Sequence, residues 1–174
     1  MESIRRARCS PKAGHEPVSR RALQSGIAAG TLAAVFAGWR SASEGSTMLA
    51  PINAVTHCIW PRRAFSETGF SLRFTLTGLA IHQASAVFWA MLFEAANARL
   101  ARGAPRTDPV ATATAATATA ATAYIVDYHV VPERLTPGFD AHLSNRSLAG
   151  VYVALAAGFA VAALLRSRLQ GDRS

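Results

Sequence analysis

Whatever chemistry this sequence offers is carried by ionisable side chains set inside or beside long apolar runs. His82 and Glu94 lie in one run, Asp127 and His129 near the end of another, and His57 and His142 fall between runs. Away from water a titratable group is costly to keep, so each such position asks for a partner or a purpose. Imidazole nitrogens bind metal ions and haem iron and relay protons, and a carboxylate bonded to an imidazole fixes its orientation and raises its basicity. His57, His82, Asp127 and His129 are therefore candidate metal or haem ligands, provided the fold brings them to one end of a helix bundle. The plainer expectation gives them structural work. His82 bonds across helices, His129 and His142 are solvated, Asp127 bonds loop backbone or pairs with Arg134, and Glu94 pairs with Arg99 or Arg102. No HxxxH, HExxH or ExxH spacing occurs, nor a Walker loop, a GxGxxG turn or a nucleophile elbow. No familiar catalytic motif therefore points to an enzyme. Outside the histidine cluster no cofactor is expected.

The elements that must position these groups are apolar helices. Of the 174 residues, 51% are hydrophobic and 16% charged, against about 25% charged in soluble domains. The fold expected is all-α, a polytopic membrane protein with four transmembrane helices in one bundle. The spans fall at 22–39, 75–97, 109–130 and 147–165, within a membrane domain of 22–166 flanked by tails at 1–21 and 167–174. Eighteen helical residues rise about 27 Å, close to the roughly 30 Å of bilayer hydrocarbon. A secretory signal, suggested by SRRALQ at 19–24 and SAS at 41–43, is the rival reading of the first run, but that run is longer than a signal core and further spans follow it. The third span opens with ATATAATATAATA. In lipid a helix satisfies its backbone, threonine hydroxyls can bond back one turn, and the lack of bulk predicts a helix packed inside the bundle. In the loop at 40–73, PINAVTHCIW (51–60) predicts a short interfacial helix, with a re-entrant segment as the alternative. Its apolar face is Ile52, Val55 and Ile59, and Pro61 ends it.

The net charge of +8 reflects topology. The basic residues flank apolar runs and form no stripe with aromatics, so nucleic acid is not an expected partner. With the N-terminus inside, twelve of the eighteen basic residues face the cytoplasm, which predicts both termini cytoplasmic. Cys9 and Cys58 then lie on opposite sides of the bilayer and cannot pair.

In the second span, Gly78, His82, Ser85 and Trp89 share one helical stripe with Gln83, Ala86, Ala90, Glu94 and Asn97 beside it. This polar half predicts an inward face. Gly26 and Gly30 in the first span, and Gly150 and Gly158 in the fourth, form smooth ridges for close helix packing, either inside one bundle or along a homodimer seam.

Three stretches, APINAVTHCIW (50–60), IHQASAVFWAMLFE (81–94) and VDYHVVPERLTPGFD (126–140), together resemble a group of small, uncharacterised bacterial inner-membrane proteins with four predicted spans. The resemblance covers most of 22–165. It implies the same architecture and a bacterial inner membrane, and assigns no residue a role. The functional expectation is a structural or accessory membrane protein whose partners are the bilayer and another membrane protein or a second copy. The alternatives are a small metal- or haem-binding membrane protein, and a transporter-like or proton-conducting oligomer using the polar face of the second span.

Overall fold

The structure, a computed structural model, describes residues 16–101 and 108–171. Among them it contains helices and turns and no strand. Four long helices carry the chain: α1 (Val18–Ser43), α3 (Leu72–Leu100), α4 (Pro109–Ile125) and α5 (Asn145–Gly171), with a short α2 (Ala50–Ala54) between the first two. The sequence sets their starts. Ser71 caps α3 by accepting from the Phe74 amide, and Asp108 caps α4 by accepting from the Val110 amide with Pro109 at the first helical position. Such caps are worth about 1 kcal/mol each. After Ile125, α4 passes into a π turn, Val126–Val130, closed by the Val131 amide donating to the Val126 carbonyl.

Neighbouring long helices run antiparallel. Gly26 and Gly30 of α1 face Val87 and Gln83 of α3, while Ala29 and Phe36 of α1 face Gly158 and Gly150 of α5. Thr112 of α4 donates to Asn97 of α3 at 3.2 Å, and Tyr124 of α4 packs edge-on against Tyr152 of α5. The connections at 44–71 and 131–144 lie together at one end and cap the bundle.

The interior mixes a few large rings, Phe93, Phe159 and Trp89 among them, with many small and polar side chains. The interior holds Ala29, Ala33 and Ala37 of α1 and Ala115, Ala116 and Ala120 of α4, together with Ser25, Glu94, Asn97 and Thr112. Leu23, Ile27 and Val35 of α1, Leu76, Phe88 and Leu92 of α3, and Val153, Val161 and Leu165 of α5 point outward. A water-soluble bundle would bury the large residues. Bulky apolar side chains outside and small or polar ones between helices fit helices solvated by lipid. Three of the helices, α1, α3 and α5, are long and apolar enough to cross a membrane.

The glycine ridges are filled by the chain's own helices. A Cβ at Gly26 would strike the Val87 backbone, one at Gly150 the Phe36 ring, and one at Gly158 the Ala29 backbone. At Gly30 it would meet Gln83 and Ala86. Of the two packing expectations, the internal one accounts for all four positions.

The structure departs from the sequence reading in two places. The short helix at 51–60 is not an amphipathic surface helix: residues 50–57 are all buried, and the helix tightens to a 3-10 turn over Val55–Cys58. It plugs the bundle mouth, because Gly78 of α3 has no Cβ to hold off the Ile52 carbonyl. Asn53 anchors it there by donating to the Glu67 and Gly69 carbonyls, at 2.7 and 2.8 Å, and accepting from Thr75 at 2.8 Å. Second, the Ala/Thr helix is not central. Thr112, Ala116 and Ala120 are buried, but Ala113, Thr117 and Ala121 are exposed, since every helix in a ring of four keeps an outward face. Thr122 does bond back to Ala118, at 2.8 Å. Helix α1 begins at Val18 and α5 continues to Gly171. Cys9, Arg102 and Arg106 lie outside the described residues.

Candidate functional site

Beneath the cap, where α3 and the π turn of α4 face each other, lies a cavity of about 260 Å³. Ala33 lines it from α1, His82, Ser85 and Trp89 from α3, and Val151, Tyr152 and Leu155 from α5. Asp127 reaches it from the π turn, and Cys58, Leu135 and Phe139 roof it from the cap. Ser85 and Leu135 are exposed, so the cavity is not sealed.

The inward positions of α4, at 112, 115–116, 119–120 and 123, repeat at helical spacing. The next inward position is Asp127, whose Oδ2 accepts a hydrogen bond from the Tyr152 hydroxyl at 2.8 Å. On α3, His82 lies on the inward stripe. Its Nε2 donates to the Gly30 carbonyl of α1 at 2.8 Å, a carbonyl approachable because Gly30 carries no side chain. With Nε2 as the donor, Nδ1 of a neutral ring is an acceptor. Trp89 and Phe139 supply aromatic surface, with the His82 and Phe139 rings 5.7 Å apart.

Two of the four candidate ligands thus come together and two do not. His82 and Asp127 share the cavity. The ring nitrogens of His57 face backbone carbonyls, Nδ1 that of Ala54 at 2.9 Å and Nε2 that of Glu133 at 3.0 Å, so ligating a metal from either would cost one of these contacts. His57 serves as a clamp between the buried plug and the second loop. Gly138 abuts its ring with φ at +74°, a conformation and a closeness that glycine alone meets easily. His129 is exposed and stands edge-on to Tyr124. Among the described residues no three His, Cys, Asp or Glu side chains are grouped to hold a metal ion. Tyr152 is the site residue sequence reading missed. Its only signal was a phenol in an otherwise apolar span, and which helix it faced depended on packing.

Two further charged groups pair off. Glu94 is buried near the opposite end of α3. Among the described residues its partners do not include Arg99: Arg166 of α5 donates to it at 2.5 Å, Ser25 at 2.6 Å, and Arg21 of α1 lies 3.8 Å away. It staples three helices and leaves no carboxylate free on the polar face of α3 to serve a conduction path. Arg134, the expected partner of Asp127, donates instead to the Cys58 carbonyl. At the capped end Glu44 accepts from the Ser144 amide at 2.7 Å, from Arg40 at 2.8 Å and from the Ser147 hydroxyl. These donors at the start of α5 hold its carboxyl down at a pKa of about 2, with the Ser147 hydroxyl the largest cause. Burial pushes the His142 imidazole below its usual value.

This geometry, with three helices suited to crossing a bilayer and bulky apolar side chains turned outward, points to a multi-pass α-helical membrane protein. No protein-family model, curated protein or solved structure matches the chain.

Proposed function

We propose that the chain is a four-span protein of a bacterial inner membrane, both termini cytoplasmic, that binds a small molecule in the cavity at the outer end of its bundle. The fourth span is α4 with its π turn. Seventeen residues and then five rise about 33 Å at helical pitch, enough for the hydrocarbon. The orientation rests on the excess of basic residues at the α1 start and the α3 and α5 ends. The bacterial inner membrane rests on the resemblance noted above.

The observation that carries the binding reading is the convergence of His82 from α3 and Asp127 from the π turn after α4 on one largely apolar cavity. A pocket with a few convergent polar groups is the usual form of a small-molecule site. At about 260 Å³ it falls just under the roughly 300–1,000 Å³ of pockets for drug-sized ligands, so its occupant is small. Haem needs more room, and two protein ligands do not make the expected metal set.

Single cysteines test the topology. With Cys9 and Cys58 replaced by serine, a membrane-impermeant maleimide on intact cells should label Arg62→Cys and spare Arg168→Cys until the membrane is opened. The reverse pattern refutes the orientation. Val151→Phe tests the cavity. The added ring fills it and should abolish ligand binding while the protein stays folded; binding unchanged would place the ligand elsewhere.

A second reading, an accessory subunit that docks another membrane helix, is favoured by the outer face of α4. Ala113, Thr117 and Ala121 lie bare there, and a groove beside them is lined by Tyr124, Ala149, Val153 and Ala156. A cysteine on this face (Thr117→Cys) that forms no cross-link in native membranes, to a second copy or another chain, would sink it.

A further inference from the structure

We propose that the cavity takes a small amphipathic amine: an ammonium group held by Asp127, on an aromatic or aliphatic body. The inference rests on the ligand-binding reading above and names the class of ligand.

The acid residues differ in their partners. Glu94 has Arg166 and Arg21, and Glu44 has Arg40. Asp127 makes no ion pair with any described residue, and its one hydrogen-bond partner among them is the Tyr152 phenol on Oδ2. Asp127 lines the cavity together with apolar side chains such as Val151 and Leu155. A carboxylate in such surroundings is best stabilised by a cation brought close to it.

The remaining polar groups point the same way. Because Nε2 of His82 donates to Gly30, Nδ1 accepts; Ser85 can accept, and so can the Tyr152 oxygen once its proton is committed to Asp127. Among the described residues no lysine or arginine lines the cavity, so a carboxylate or phosphate would meet the Asp127 charge with nothing to offset it. A ligand rich in N–H donors satisfies these acceptors, and Trp89 and Phe139 offer aromatic faces that attract an ammonium or stack on a ring. An apolar cavity of about 150 Å³ is known to hold benzene. A cavity of about 260 Å³ therefore suits one ring with a short aminoalkyl arm.

The test uses the full chain in mild detergent at pH 7, titrated calorimetrically with three probes of one shape: 2-phenylethylamine, 2-phenylethanol and 3-phenylpropanoate. The amine should bind at least ten-fold more tightly than the alcohol, and the acid should not bind. Asp127→Asn should weaken the amine at least ten-fold and leave the alcohol within two-fold. In a Cys9→Ser background the amine should also slow alkylation of Cys58 by N-ethylmaleimide, which separates binding in the cavity from partition into the micelle. Amine and alcohol binding equally well to the wild type, a result that needs no variant, would overturn the amine class and leave the cavity reading standing. Binding without protection of Cys58 would overturn it as well. If none of the three probes binds, the cavity reading itself fails.

Discussion

Replacing Arg166 by methionine should strongly destabilise the bundle. Glu94 is 1% exposed and Arg166 13%, so the pair is shielded from water at the end of the bundle away from the cap. Arg166 also donates to Ser25 at 3.2 Å, and Ser25 donates to Glu94. Removing one partner of a buried pair costs about 3–5 kcal/mol, chiefly by leaving the other charge unmatched. Arg21 remains 3.8 Å from the second Glu94 oxygen and can move closer, which places Arg166→Met near the lower end, about 3 kcal/mol. Glu94→Gln removes the stranded charge and keeps an acceptor for Ser25, so Glu94→Gln/Arg166→Met should be more stable than Arg166→Met alone by about 1–2 kcal/mol. The assay is reversible unfolding in mixed micelles of mild detergent and dodecyl sulfate, followed by circular dichroism. Arg166→Met within about 0.5 kcal/mol of wild type, or a double variant less stable than the single, would refute the staple.

Gly78→Ala should destabilise by about 1–3 kcal/mol through overpacking, because the new Cβ meets the Ile52 carbonyl of the plug. Gly69→Ala, with nothing within 4 Å of the added carbon, is the matched control, and equal melting temperatures for the two would refute the seating of the plug on α3. The Glu44 carboxyl, lowered from 4.5 to about 2 in the folded chain, contributes stability that is full above pH 4.5 and lost as pH falls through 2. The melting-temperature gap between wild type and Glu44→Gln should therefore be constant above about pH 5 and close towards about pH 2; a gap already closed at about pH 4 would contradict these contacts. His142, whose folded value lies below 6.5, favours the folded state when neutral. Its contribution is full above pH 6.5 and declines as pH falls below it. His142→Gln should flatten the melting profile between about pH 7 and 5, and an unchanged slope would remove His142 as its source.

The long helices were legible because their cause is local. Uncharged runs, caps such as Ser71 and Asp108, and the helical spacing of Thr112, Ala116 and Ala120 are properties of neighbouring residues. Partners across helices were not legible, because they depend on which helices adjoin and at what height. Proximity along the chain pairs Glu94 with Arg99, yet its arginine lies 72 residues away on a helix that happens to end beside it. The plug failed for another reason. Ile52, Val55 and Ile59 read as a face for lipid, but sequence cannot tell lipid from protein as the apolar surroundings of a short helix, and for Ile52 and Val55 it is protein, while Ile59 stays exposed. For the site, the sequence placed four candidate residues in the same half of the molecule, and the structure brings together the two whose inward positions follow from helix phase, His82 on α3 and Asp127 on the continuation of α4. His57 and His129 stand at the ends of irregular turns, where phase carries no information.

The cavity follows from the same choice of residues that makes the bundle. Helices packed in lipid approach through small side chains, and α4 is built almost wholly from alanine and threonine. Away from the cap this brings α4 close enough to α3 for Thr112 to reach Asn97. Towards the cap Trp89, Tyr152 and Phe139 stand between the helices, and small residues such as Ala33, Ser85 and Ala86 cannot fill the space that the large ones prop open. A leucine at Ala33 or Ala86 would go far towards closing it. Interior voids forfeit dispersion contacts, and a gap that one substitution could fill, with an ionisable group from each of two helices facing it, is the arrangement that the proposed binding role requires.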